Sequence, residues 1–251
     1  MNKPTKIAII VLAVLLILNF TKNMIVQAAI EGVVSGAAHV PVRIGSTSAQ
    51  FLSGKMTLRN LRVFNPRSFP EPLLLHVPLI AVNFDAGALI KGTAHFREVR
   101  VNLKEVIVIK NRDGKLNVDA LQPSKDERSK AKESQRTAAK GQETKLKIDK
   151  LYLTVGRVLY KDYSGGGQPS VQTFDINIQD REYDNIDNPT ALVSLIMFEA
   201  LTNTAISRLA HLDVGIFKDG ASGVLSKGLG LVGEGAEGVD KAAQSIFGLF
   251  K

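Results

Sequence analysis

The sequence predicts an α+β, β-rich fold: an N-terminal transmembrane helix, then an antiparallel β-sheet of strand-bend-strand units, then apolar or amphipathic C-terminal helices. Three observations carry this. Twelve uninterrupted apolar residues, Ile7 to Leu18, stand behind Lys3 and Lys6. Between about residue 51 and residue 188, apolar residues recur at every second position in short runs, the period of a strand with one buried face. From Asn188-Pro189 onward the recurrence lengthens to three and four residues, the period of a helix.

These changes divide the chain into a membrane anchor (1–26), a helical small-residue connector (27–50), a first β segment (51–123), a charged linker (124–145), a second β segment (146–188) and a helical, Gly-rich region (189–251). With the apolar N-terminus and the charged stretch set aside, the 251 residues hold material for one modest domain. Apolar content is 45%, aromatic content 6%, and Trp is absent, so the core should be aliphatic. The absence of Cys excludes disulfides, thiolate nucleophiles and thiolate metal sites, and leaves the redox compartment open.

The N-terminal segment admits two readings. A cleaved signal peptide fits the length of the apolar run, with Val26-Gln27-Ala28 as its small-residue cleavage site. An uncleaved anchor fits because Thr5 to Val26 spans ~33 Å as a helix, enough to cross the hydrocarbon layer if Lys22 snorkels to its edge. The anchor is preferred, since ten residues separate the apolar run from that cleavage site and the sequence beyond stays helix-like. Lys3 and Lys6 on the short side place the N-terminus in the cytoplasm and the rest of the chain across the membrane.

The connector reads as helix to about Ala38, before Pro41 stops it. In the first β segment Met56 and Leu58 alternate with polar neighbours, and Leu61 and Val63 then do so in a shifted register. After Asn65-Pro66, a proline-punctuated loop leads to a strand at Leu79 to Phe84. Val99, Val101 and Leu103 alternate next, followed by Val106 and Val108 in a shifted register, and Asn111-Arg112-Asp113-Gly114 closes a hairpin to Leu116-Asn117-Val118. The second segment repeats the scheme with Leu151, Leu153 and Val155, then Val158 and Tyr160, before Ser164-Gly165-Gly166-Gly167 turns the chain into Val171, Phe174, Ile176 and Ile178. Residues 96–108 laid over 148–160 bring these two sets into coincidence, a weak internal repeat of one strand-bend-strand unit.

The net charge of +8 suggests acidic partners, but it is concentrated. From Lys125 to Lys147 there are eight basic and four acidic residues, half of the total. This stretch has almost no large apolar residue and reads as a solvated linker, with weak attraction to anionic headgroups as a second role. It carries no interleaved aromatics, so nucleic acid is not expected as a partner. In the C-terminal region, Thr190 to Leu212 is apolar on nearly every side, as in a buried or membrane-touching helix. Beyond it Leu225, Leu229, Val232, Ala236, Val239, Ala243, Ile246 and Phe250 form a narrow apolar seam. The abundant glycines make this helix dependent on a surface, either a membrane or the open end of the sheet. Its acidic polar face favours docking onto protein.

Nothing in the sequence suggests catalysis. His39, His76, His95 and His211 stand singly without metal-ligand spacing. The Gly165-Gly166-Gly167 run lacks the Lys-Ser/Thr and helix of a phosphate cradle, and is read as a turn. Asp175, Asp180, Glu182, Asp184 and Asp187 lack the spacing of a calcium loop and read as a solvated loop. No enzyme activity, cofactor or metal is therefore expected.

Several segments in order resemble the N-terminal region of the AsmA family of bacterial envelope proteins. They are the apolar N-terminus; Gly54-Lys55-Met56-Thr57-Leu58-Arg59-Asn60-Leu61-Arg62-Val63-Phe64-Asn65-Pro66; Phe69-Pro70-Glu71-Pro72-Leu73-Leu74; Val82, Phe84-Asp85, Leu89-Ile90 and Gly92; Val99 to Asn111 with Asp113-Gly114, Leu116 and Asn117; and Ile148, Leu151, Leu153, Gly156 and Val158. The resemblance covers residues 1 to about 180 and implies an inner-membrane anchor and a curved, periplasmic β-sheet with a lipid-accommodating apolar face. Lipid-groove candidates on that face are Val99, Val101, Leu103, Val106, Val108, Leu151, Leu153, Val155 and Val158; by periodicity alone the same residues read as a closed aliphatic core. The expected function is non-catalytic lipid handling or membrane organisation in outer-membrane assembly, with membrane lipids and other envelope proteins as partners. The alternative is a structural or stress-protective β-sandwich, similar to late embryogenesis abundant proteins, without lipid.

Overall fold

The computed structural model describes residues 23–32, 35, 40–122, 145–202 and 204–228. Helix α1 (residues 23–32) precedes β1 (Val42–Arg43), β2 (Ser46–Gln50), β3 (Lys55–Phe64) and β4 (Leu73–Phe84). A one-turn helix α2 (Ala86–Ile90) then leads into β5 (Thr93–Lys110) and a 3-10 turn (Asn117–Leu121). Strands β6 (Lys145–Asp162) and β7 (Ser170–Ile186) follow, and the described chain ends with helices α3 (Pro189–Thr202), α4 (Ile206–Leu209) and α5 (Gly215–Gly228). The first strands therefore fall inside the stretch read from sequence as a connector, and the apolar segment 7–18 lies outside the described residues. Among the described residues no helix is long and apolar enough to cross a membrane.

The seven strands of the described residues form one sheet in the order β1-β3-β4-β5-β6-β7, with β2 also paired to β3. The expected antiparallel sheet is corrected to a mixed one, because β5 and β6 run parallel. A parallel step needs a long return connection, and residues 111–144 supply it. Every paired residue of β5 lies opposite the residue 52 positions later, the same offset that aligns the internal repeat. The two copies of the unit therefore lie side by side, in the same direction and in register.

The shifted register within each unit appears as a crease across adjacent strands. Buried positions step by three instead of two at Ile44 to Thr47, Leu58 to Leu61, Leu103 to Val106 and Val155 to Val158. In a regular strand such a step would turn the side chain to the opposite face. One residue at the crease absorbs the change, as the left-handed Asn60 (φ 53°) does in β3. Gly156 is required at this line, since a Cβ there would stand 2.6 Å from the Lys104 carbonyl oxygen on β5.

The two sheet faces differ sharply. One is aliphatic and packs in a single core cluster with Leu195, Met197 and Leu201 of α3, Ile206 of α4, and Phe217, Ala221 and Val224 of α5. The helical layer lies over β6 and β7, with α3 against α5. Asn188 starts α3 by accepting the Ala191 N–H at 2.6 Å, and Pro189 follows at the first helical position. The other face is polar: Arg100 lies 4.1 Å over the Tyr152 ring and hydrogen-bonds Glu98 at 2.7 Å, Lys150 pairs with Glu182, and Arg157 bonds Glu105 at 2.8 Å.

Polar side chains complete the sheet where strands run out. Asn23, Gln27, Glu31 and Ser35, spaced four apart, lie along the β1–β2 edge. They accept from Ala49 N–H (3.0 Å), donate to Ile44 C=O (2.7 Å), accept from Ile44 N–H (2.7 Å) and accept from Val42 N–H (3.0 Å), respectively. An exposed strand edge is thereby satisfied by α1 together with Ser35. At the far end of the sheet the expected hairpin contracts to a single bridge, Lys110 to Leu116, after which Asn117 stands in for a strand. Fully buried, it accepts from Ile109 N–H (2.8 Å) and donates to Ile107 C=O (2.7 Å) and to Asn65 Oδ1 (2.8 Å). Asn65 in turn donates to the Glu71 and Leu73 carbonyls.

Candidate functional site

The nine groove candidates gather on the aliphatic face of β5 and β6. Parallel pairing sets Val99 beside Leu151, Val101 beside Leu153, Leu103 beside Val155 and Val106 beside Val158, while Val108 lies beside Tyr160. All nine are between 0 and 6% exposed. β-branched and γ-branched side chains at alternate positions give this result directly: each strand presents one row, and the crease keeps the row on the same face past its midpoint. The hydroxyl of the buried Tyr160 bonds Asp162 at 3.1 Å; burial, reinforced by the Asp162 charge, pushes its pKa up to about 12.

The helical layer is fastened at its rim by a charged pair. Arg181 on β7 donates to Glu199 on α3 at 2.6 Å, and the Glu199 side chain is 8% exposed. Burial raises the pKa of the neighbouring Tyr183 phenol, and the Glu199 carboxylate raises it further. Burial lowers the pKa of the Arg181 guanidinium, but Glu199 and Tyr183 together outweigh it and hold that pKa up. Such a pair, with its Arg half exposed, positions the helix more than it stabilises the fold.

Of the C-terminal seam, Leu225 lies in α5, partly buried against the core. Leu229, Val232, Ala236, Val239, Ala243, Ile246 and Phe250 lie outside the described residues. The acidic residues Asp175, Asp180, Glu182 and Asp184 belong to β7, so that stretch is strand, not loop. Among the described residues no group of three or more His or carboxylate side chains could hold a metal ion. His95 instead contacts Asp149 at 2.8 Å.

Sequence reasoning missed two sets. The edge-capping residues Asn23, Gln27, Glu31 and Ser35 carried a signal in their four-residue spacing, the repeat of one helix face. The Asn65–Asn117 clasp carried none, because both residues sit in turn-like sequence where Asn is ordinary.

Fold and site together define an α+β, β-rich protein with one mixed sheet, an aliphatic face under helices and a charged face opposite. No family model matches the chain, and no curated protein or solved structure matches it either.

Proposed function

We propose that this chain is a non-catalytic, AsmA-like envelope protein, anchored in the bacterial inner membrane by its N-terminal segment. Its N-terminus is cytoplasmic and its bulk periplasmic, where a curved sheet accommodates lipid and serves membrane lipid organisation or outer-membrane assembly. The observation that carries this reading is the unbroken aliphatic surface made by the paired rows of β5 and β6. The crease across the strands supports curvature, since an irregularity repeated at one level bends a sheet along a line. The cover over β7 is suited to yielding. Helix α5 contains Gly215, Gly220, Gly223 and Gly228, and helical glycine costs roughly 1 kcal/mol relative to Ala. Elements of low local stability open first, and an acyl chain replaces the contacts they leave.

Native mass spectrometry of the full chain purified in mild detergent tests the reading. Phospholipid bound to the folded protein, and regained after delipidation, is the expected result. A delipidated chain that takes up no phospholipid would overturn it.

A further inference from the structure

We propose that the end of the sheet carrying the β2–β3 and β4–β5 turns is a bilayer-contact surface, and that Phe51-Leu52 and Leu89-Ile90 enter the lipid interface there. The proposal rests on the membrane-anchored reading above.

Eight large hydrophobic side chains are markedly exposed among the described residues: Met24, Ile25, Phe51, Leu52, Leu89, Ile90, Val171 and Leu209. Six of them belong to this end. The β2–β3 turn is locked to the end of β4: Phe84 N–H donates to Gly54 C=O at 2.7 Å, and the Phe51 and Phe84 rings meet edge to face at 6.0 Å. Gly54 (φ 63°) has no room for a side chain, because a Cβ would stand 2.3 Å from the Phe84 carbonyl oxygen. This rigid turn nevertheless holds Leu52 fully exposed at its tip. Next to it, α2 has the sequence Ala-Gly-Ala-Leu-Ile and buries no residue, with Ile90 88% exposed. Turns and loop tips are ordinarily polar, and scattered apolar residues need no explanation. Two apolar tips built side by side on rigid supports do.

The occupant is indicated by where the chain leads. Asn23 is held at this end by Ala49, at 3.0 Å, and the apolar run Ile7 to Leu18 precedes it in sequence with four residues between. Met24 and Ile25, 72% and 63% exposed, join the tips to that segment. Cationic side chains flank the patch: Lys55 follows the first turn and Lys91 caps α2. Apolar tips flanked by Lys, following an apolar segment in sequence, match an interface rich in anionic lipid.

The absence of Trp allows an unambiguous probe. Single substitutions L52W and I90W are made in the full chain, with V171W at the opposite end of the sheet as control; all three replace exposed side chains. Each variant is reconstituted into vesicles of phosphatidylethanolamine and phosphatidylglycerol, with and without brominated acyl chains. L52W and I90W should emit at shorter wavelength than V171W and lose emission to the bromolipid, most with bromines near the headgroup, while V171W is unaffected. Emission from L52W and I90W that stays red and unquenched in vesicle-bound protein would overturn the proposal and leave the lipid-accommodating reading standing. A blue shift without bromolipid quenching would identify protein contact and overturn it equally. A chain that fails to associate with vesicles would overturn both readings.

Discussion

Replacing Asn117 tests whether one side chain completes the far end of the sheet. N117A leaves three groups without their partner: Ile109 N–H, Ile107 C=O and Asn65 Oδ1, all within 2.8 Å of the lost amide. Each buried orphan costs about 1–3 kcal/mol. Because the three share one site and do not add fully, the expected loss is about 3–5 kcal/mol. For a chain of this size that lowers the melting temperature by roughly 10 °C. N117D sharpens the test, because it preserves shape and the acceptor for Ile109 N–H while setting a carboxylate against two oxygens. The neutral acid is the form that fits, so its folded pKa lies above the unfolded value of about 3.9. Stability contributed by the protonated form is present below that value and lost as pH rises through the folded pKa. N117D should therefore approach the parent near pH 4 and fall well below it at pH 7. Urea and thermal unfolding of the detergent-solubilised chain, followed by circular dichroism and referenced to the parent at each pH, measure both effects. An N117A loss under about 1 kcal/mol, or an N117D deficit that does not change with pH, would refute the clasp.

Glu31 sits in the edge cap, where burial is outweighed by the bonds from Ile44 N–H and Gln27 and by the Arg43 guanidinium, holding its carboxyl below the usual range. A depressed folded pKa gives stability above the unfolded value of about 4.3 that is lost as pH falls through the folded one, so E31Q should flatten the acid limb of the stability curve; an unchanged limb would exclude the cap from acid unfolding. The linker has a minimum length even though it needs no sequence of its own. From the level of Ile107 back to that of Thr93 is about 45 Å of strand, and at most about 3.5 Å per residue spans it with about 13 residues. Deleting residues 126–131 should leave the melting temperature unchanged, while deleting 126–141 should abolish the β5–β6 pairing and the cooperative transition with it.

The three-residue slips at Leu58–Leu61, Leu103–Val106 and Val155–Val158 were legible in sequence, because a buried face imposes its period on side-chain choice. So was the correspondence of residues 96–108 with 148–160, which turned out to be the pairing register itself. The direction of that pairing was not legible: alternation looks the same in parallel and antiparallel strands, and only the reach of residues 111–144 distinguishes them. The extent of β7 was hidden by its acidic residues, which face solvent from a strand as readily as from a loop. The positions of the nine groove candidates followed from alternation alone, whereas the helical cover did not, since the apolar surround of α3 names no particular neighbour. The edge cap and the Asn clasp depend on backbone groups, which leave no trace in hydrophobic patterning.

The parallel step from β5 to β6 has a consequence for size. Two copies of one unit related by a sideways translation are the start of a lattice, and nothing in the step itself says where to stop. The stop comes from the margins. On one side the polar row of α1 occupies the hydrogen-bonding positions of β1 and β2. On the other, β7 reverses direction and carries three left-handed residues, Asn177, Asp180 and Asn185, which break the regular ladder a further strand would need. The chain thus holds a repeat able to propagate between two terminators that fix the sheet's width, and removing either terminator, not altering the repeat, is the change that would let the sheet grow.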